Sequence, residues 1–189
     1  MTISMKTHRI GIMAYPQSLR SAVYGLIDML ALANEVCAQQ AFDVRVEPVE
    51  RSASTQSRQR FSAVVLPPAR DPTYYLAPEP ALLRWLQRQR GVLCSACAGA
   101  FILAEAGVLE GCTVTTHWGL EDTFRVRFPE IRLNTNAILI NQERVITAGG
   151  MMSWLDLGLE LVAHFASPLV MRQLGKFLVI DTGARQQRY

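Results

Sequence analysis

No apolar run in the 189 residues is long enough to span a bilayer, and the N-terminus lacks the hydrophobic core of a signal sequence. The sequence therefore predicts a cytoplasmic protein that does not engage a membrane. Basic charge is not gathered: nineteen Lys and Arg stand against sixteen Asp and Glu, a net charge of +3, and the arginines are scattered along the chain. That excludes the electrostatic footprint of a nucleic-acid binder. Cysteine is sparse, four residues at uneven spacing, which fits a reducing compartment rather than a disulfide framework. Cys94 and Cys97 form a Cys-x-x-Cys, but no second ligand pair accompanies them, which argues against zinc, and no metal or cofactor is expected. The stretch from Arg51 to Arg60 has no aliphatic residue larger than alanine, so it reads as a surface loop or frayed edge.

What is present is a dense apolar inventory. At 50% hydrophobic residues the chain can build one well-buried domain, and residues 1–189 are expected to form a single one. Arg9 to Ala14 alternates and turns at Tyr15-Pro16, predicting a first strand. Leu19 to Gln39 reads as a helix with Val23, Leu26, Ile27, Leu30, Ala31 and Ala33 on its apolar face. Phe42 to Val49 reads as a strand interrupted late by Pro48, and Phe61 to Leu66 as a buried strand ended by Pro67-Pro68. A proline-rich piece then leads to a helix over Ala81 to Arg90, with Leu82, Leu83 and Leu86 facing inward. Val114 to Thr116 predicts a short strand aimed at His117-Trp118, and Leu120 to Phe128 a helix stopped by Pro129. Ile131 to Asn134, Ile138 to Asn141 and Val145 to Ala148 are short extended pieces, the last two joined by a polar turn. Helices follow from about Met152 to Phe165 and from Pro168 to roughly Val179. Alternating strands and helices predict an α/β fold, a three-layer doubly wound sandwich with a mainly parallel sheet. Its ligand crevice lies at the carboxyl ends of the strands, where Cys97 and His117 both fall.

Gly91 to Cys94 has the continuous apolar character of a buried parallel strand, and Phe101, Ile102 and Ala106 recur at helical spacing. Cys97 sits in the bend between them, where α/β proteins hold nucleophiles. The positive end of a helix and its free N–H groups both favour thiolate over thiol. Gly99 lets the turn press against a neighbour, much as in a Gly-x-Ser-x-Gly elbow, although Ser95 takes the place of the first glycine. A cysteine that serves only as a small core hydrophobe stays open as the other reading of Cys97. It is the reading adopted for Cys37 near a helix end, Cys94 in the strand and Cys112 in the Gly111 turn.

Several ordered pieces carry a family likeness. They are Ala96-Cys97-Ala98-Gly99-Ala100 with Leu103-Ala104-Glu105-Ala106-Gly107, Thr115-Thr116-His117-Trp118, Phe128-Pro129, and Ile146-Thr147-Ala148-Gly149-Gly150 followed by Asp156-Leu157. As a set, together with the tail from Asp181 to Tyr189, this sequence resembles the DJ-1/PfpI (class I glutamine-amidotransferase-like) superfamily. More narrowly, it is similar to the N-terminal domain of AraC-type transcriptional regulators of the GlxA and FtrA kind. The likeness covers about residues 9–189. It implies a flavodoxin-like fold of DJ-1/PfpI type, a homodimer, and a small-molecule effector bound near Cys97, Ala98, His117 and Trp118. A nitrogenous metabolite such as an amine, amino acid or betaine is the implied effector class, with Trp118, Tyr15 and Phe101 available as aromatic walls. Residues 184–189 are expected to begin a linker. DNA contact is expected only through a C-terminal helix-turn-helix module that these residues do not contain.

The resemblance also bears on catalysis. Catalytic relatives carry a Glu or Asp three residues before a glycine of the first helix; aligned on Gly25 that position is Ala22, flanked by Ser21 and Val23, and Asp28 lies further along. Loss of such a proton-exchanging partner lowers a rate by about 10²–10⁴. Relatives also supply glycine N–H groups to the oxyanion from the end of a preceding strand, whereas Leu66-Pro67-Pro68-Ala69 brings two residues without an N–H, leaving that of Ala98. His117 is placed near the pocket, either as a partner of the thiol or as a hydrogen-bonded strand-end residue beside Trp118. His164 reads as a helix-edge residue, Asp156 as a brace of its helix, and His8 as part of a mobile N-terminus. No catalytic residue is expected. The expected function is a non-catalytic, ligand-sensing and dimerisation domain of an AraC-family regulator. The alternative is a cysteine-dependent DJ-1/PfpI-family enzyme, isonitrile hydratase-like or a hydrolase, with Cys97 as nucleophile.

Overall fold

The computed structural model describes residues 6–39, 60–183 and 186–187 in full and 44–52 through their backbone. The strand start at Phe42 and most of the expected Arg51–Arg60 loop lie outside the described residues. A six-stranded sheet in the order β2-β1-β3-β4-β8-β7 forms the middle layer. It comprises β1 (Lys6–Ala14), β2 (Val44–Ser52), β3 (Ala63–Leu66), β4 (Val92–Ala96), β7 (Leu139–Gln142) and β8 (Val145–Ala148). Five strands run parallel, and β7 pairs antiparallel with β8 at the edge. This is the flavodoxin-like order with one added hairpin strand. Pro48 is accommodated because β2 pairs only with β1, and an edge strand has a row of N–H groups that the ladder does not need.

The period of two in the buried strands divides the core. Ala63, Val65, Val92, Cys94, Ala96, Ile146 and Ala148 face a layer built from α1 (Arg20–Gln39), α6 (Trp154–Phe165) and α7 (Pro168–Leu178). Val64, Leu66 and Leu93 face the opposite layer, made of α2 (Pro72–Leu76), α3 (Pro80–Gln87), α4 (Gly99–Glu105) and α5 (Glu121–Arg127). Alternation of side chains across a strand makes both faces apolar, which is why these strands read as continuous hydrophobic runs.

Several expectations are corrected. Among the described residues α1 is the one helix long and apolar enough, by length and composition, to cross a membrane. It instead lays Ala22, Val23, Leu26, Met29, Leu30 and Ala33 on the sheet and α6, as a core helix does. Ala31 points to solvent and Ile27 is half-buried, because the stripe runs through Met29 and Ala33 instead. In α3 Trp85, not Leu83, joins Leu82 and Leu86 inside. The short α2, capped by the Asp71 carboxylate on Thr73 N–H, occupies the proline-rich connection. His8 belongs to β1, with Nδ1 3.3 Å from Ser62 Oγ, rather than to a loose terminus. The strand before His117 is only β5 (Thr113–Val114), and it pairs with β6 (Arg132–Leu133) in a separate two-stranded sheet. His117 therefore does not stand at the carboxyl end of a main-sheet strand.

Candidate functional site

The carboxyl ends of β1, β3 and β4 meet where the strand order reverses, the usual ligand crevice of such sheets. Every residue of β4 is buried; the strand ends at Ala96 and α4 begins at Gly99. Cys97 makes the turn with φ 54°, in the left-handed region. A side chain there costs about 1–2 kcal/mol and persists only where surrounding contacts fix it. Three bonds do so. Cys97 N–H donates to Ala148 O at 2.8 Å, and the Cys97 carbonyl accepts from Ala100 N–H at 3.3 Å and from the Thr116 hydroxyl at 2.8 Å. A Cβ on Gly99 would lie 2.5 Å from Leu66 O, so only glycine lets the elbow press onto the end of β3.

Cys97 is 2% exposed, and burial lifts its thiol to about 11. The Ala98 N–H pulls the other way and is outweighed. Removal from water thus outweighs the pull of a seven-residue helix end toward thiolate. Among the described residues no carboxylate contributes to the shift. Ala22, at the start of α1, is wholly buried and carries no carboxyl group.

The ionisable groups that do feel Cys97 are phenols. Tyr15 and Tyr75 are both raised, first by burial and then by Cys97. The Tyr15 hydroxyl donates to Pro67 O, tying the end of β1 to the end of β3, and its ring stacks on Tyr74 at 5.3 Å. Tyr74 and Tyr75 were not legible as site residues, because a contact between distant positions leaves no local pattern. Phe101, expected as a wall, is a core residue packed against Tyr75, Phe124 and Phe128. On the outer side of Tyr15 lies a recess of 880 Å³ whose lining includes Gln17, Ser18, Arg20, Tyr24 and Arg70.

His117 caps the 3-10 turn Trp118–Leu120: its Nδ1 accepts from Gly119 N–H at 3.1 Å, so the ring proton sits on Nε2. Its ring stacks on Trp118 at 5.4 Å, and burial lowers its pKa. Trp118 is 54% exposed, and Ala98 is fully buried. Thr116, not His117, is what the structure brings to Cys97 by a hydrogen bond. Asp156 lies in the first turn of α6 and His164 is exposed near its end.

A strap runs over the ends of β4 and β8. Thr115 N–H donates to Thr147 Oγ1 at 2.9 Å, and Gln187 enters from the C-terminal segment. The Gln187 amide bonds to Thr115 and Thr116, so the tail, Thr116 and Cys97 are joined in one chain of contacts. Sequence reasoning missed Gln187 and Thr116. The one local hint is Gly149, whose Cβ would fall 1.9 Å from Gln187 Nε2.

Residues 27–164 match the family model described as DJ-1/PfpI family. The chain is 34% identical over 104 residues to the HTH-type transcriptional regulator CdhR of Pseudomonas aeruginosa, a match that covers 53% of this chain and 31% of that protein. The matched segments thus cover about a third or less of the length of these curated relatives. Among solved structures, Drosophila melanogaster DJ-1beta superposes with a TM-score of 0.73 at 15% identity, covering 93% of this chain and 99% of that one. An AraC family transcriptional regulator from Pseudomonas putida gives 0.66 at 15% identity, covering 90% and 99%. At that identity both likenesses are evidence of fold alone.

Proposed function

Because this chain belongs to the DJ-1/PfpI family, we propose that it is the effector-sensing and dimerisation domain of an AraC-type transcriptional regulator and turns over no substrate. The observation that carries this is the state of Cys97: buried, with its thiol raised to about 11 and, among the described residues, no carboxylate acting on it. A nucleophilic thiol needs ionisation and a partner that moves its proton, and neither is supplied here. The name of CdhR, an HTH-type regulator, supports the same reading. The effector binds around Cys97, Ala98, His117 and Trp118, reached past Tyr15 from the 880 Å³ recess. DNA is contacted through a helix-turn-helix module of a longer polypeptide, and two copies pair through exposed apolar side chains such as Trp118, Met152 and Phe177.

The enzyme reading keeps one observation in its favour, the strained elbow at Cys97. A single experiment separates the two. Thermal denaturation of the full chain across amines, amino acids and betaines is expected to show a ligand-induced rise of several degrees. Cys97→Ser should retain that rise, and light scattering should give twice the chain mass. Product formation from an isonitrile or ester, abolished in Cys97→Ser, would overturn the sensing reading.

A further inference from the structure

The side chain that plugs the strap is poorly matched to its seat. Gln187 is 9% exposed, and its Nε2 faces three oxygens at once: Thr115 Oγ1 at 2.9 Å, Thr116 O at 3.0 Å and Ala137 O at 2.9 Å. The Thr115 hydroxyl spends its own hydrogen on Ala137 O at 2.9 Å, so it meets Gln187 as an acceptor. A carboxamide nitrogen carries two hydrogens, one fewer than the oxygens gathered round it. Its oxygen, Oε1, is buried with no hydrogen-bond partner among the described residues. Turning the amide over would set its oxygen against two carbonyl oxygens and satisfy it only if the Thr115 hydroxyl gave up its bond to Ala137 O. The seat calls for three N–H donors on one atom and no oxygen beside them.

The geometry points to a binding site for a primary ammonium group, R–NH3+, formed by Thr115 Oγ1, Thr116 O and Ala137 O and filled in this conformation by the Gln187 amide. An ammonium offers one N–H to each oxygen and strands nothing. Its charge strengthens each bond, which offsets part of the cost of leaving water. A quaternary ammonium, with no N–H, is excluded. The floor of the site is Gly149, where any side chain would occupy the nitrogen's place. Ligand and Gln187 cannot share the seat, so binding expels Gln187. The bond from Gln187 N–H to Asn136 O at 3.0 Å and the bridge between Gln186 and Ala137 then open. Because Thr116 also holds the Cys97 carbonyl, the occupant acts on the elbow and on the C-terminal segment together. This rests on the sensing reading only in naming the effector's recognised group and its mechanical output.

The test uses methylammonium chloride as probe and tetramethylammonium chloride, equal in charge but without N–H, as control. In Gln187→Ala, methylammonium should raise the melting temperature above the control, with an apparent affinity at least tenfold tighter than in the wild type, where the amide competes. Gly149→Ala should respond to both salts alike. In the wild-type chain methylammonium should speed hydrogen exchange at the Gln187 backbone amide while the control does not. Equal responses of Gln187→Ala to the two salts overturn the site, as does unchanged exchange in the wild type, which decides alone if Gln187→Ala does not fold. If methylammonium fails and another metabolite still stabilises the chain, this site falls and the sensing reading stands; if nothing stabilises it, both fall.

Discussion

The Thr116 hydroxyl donates to the Cys97 carbonyl at 2.8 Å, fastening the strap after β5 to the elbow after β4. The other bond to that carbonyl, from Ala100 N–H, is long at 3.3 Å. Thr116→Val keeps the shape and removes the donor, so it should cost about 1–2 kcal/mol, a fall in melting temperature of about 2–8 °C. Thr116→Ser keeps the hydroxyl and should avoid most of that loss. Calorimetry of the two variants checks this; a valine variant as stable as the serine one would mean the bond contributes nothing.

Burial raises the Cys97 thiol from 9.0 to about 11 and the Cys94 thiol further. Between those values the folded chain keeps a proton that the unfolded chain releases, so stability falls as pH rises through that window and is unaffected by this group below it. Urea midpoints measured from pH 8 to 11 should decline, and Cys97→Ala should flatten the decline. At pH 7.5 the folded Cys97 has about 100-fold less thiolate than the free thiol. Iodoacetamide should therefore label it at least that much more slowly in the folded than in the unfolded chain, read by peptide mapping at Cys97. Fast labelling in the folded state would contradict the burial account.

The φ of 54° at Cys97 makes a third outcome distinctive. In a helix, replacing alanine by glycine costs about 0.5–1 kcal/mol. At position 97 the order should reverse, with Cys97→Gly equal to Cys97→Ala or up to about 1 kcal/mol more stable, since glycine sheds the left-handed penalty. Paired denaturation curves decide it. An alanine variant clearly the more stable of the two would show that the elbow relaxes out of the left-handed region.

The sheet and the elbow were legible because their signals are local. Val64-Val65-Leu66 and Val92-Leu93-Cys94 are apolar on both faces, and the abrupt change to Ala98-Gly99-Ala100 marks where a strand yields to a helix. The state of the Cys97 thiol is not legible, because a helix start is visible in sequence whereas the buried cluster that holds the thiol, with Tyr15 and Tyr75, is assembled from distant parts of the chain. A two-residue strand such as Thr113–Val114 has no period to reveal which sheet it joins. Gln187, in a polar tail, looks like a solvent-exposed residue until the fold lays it against Gly149.

That last contact yields the most direct test of the tail's docking. Gly149→Ala puts a methyl group 1.9 Å from where Gln187 Nε2 sits, so the two cannot coexist. Gln187→Ala removes the same three bonds from the other side. Each change alone should cost about 1–3 kcal/mol, the worth of a few buried hydrogen bonds. Made together they should cost little more than either, because once Gln187 is gone the alanine at 149 fills the space it left. A double-mutant cycle on urea denaturation should therefore show a coupling of at least about 1 kcal/mol. Losses that simply add, within about 0.5 kcal/mol, would mean that Gln187 does not rest on Gly149 in solution and that the C-terminal segment is not anchored to the elbow through Thr116.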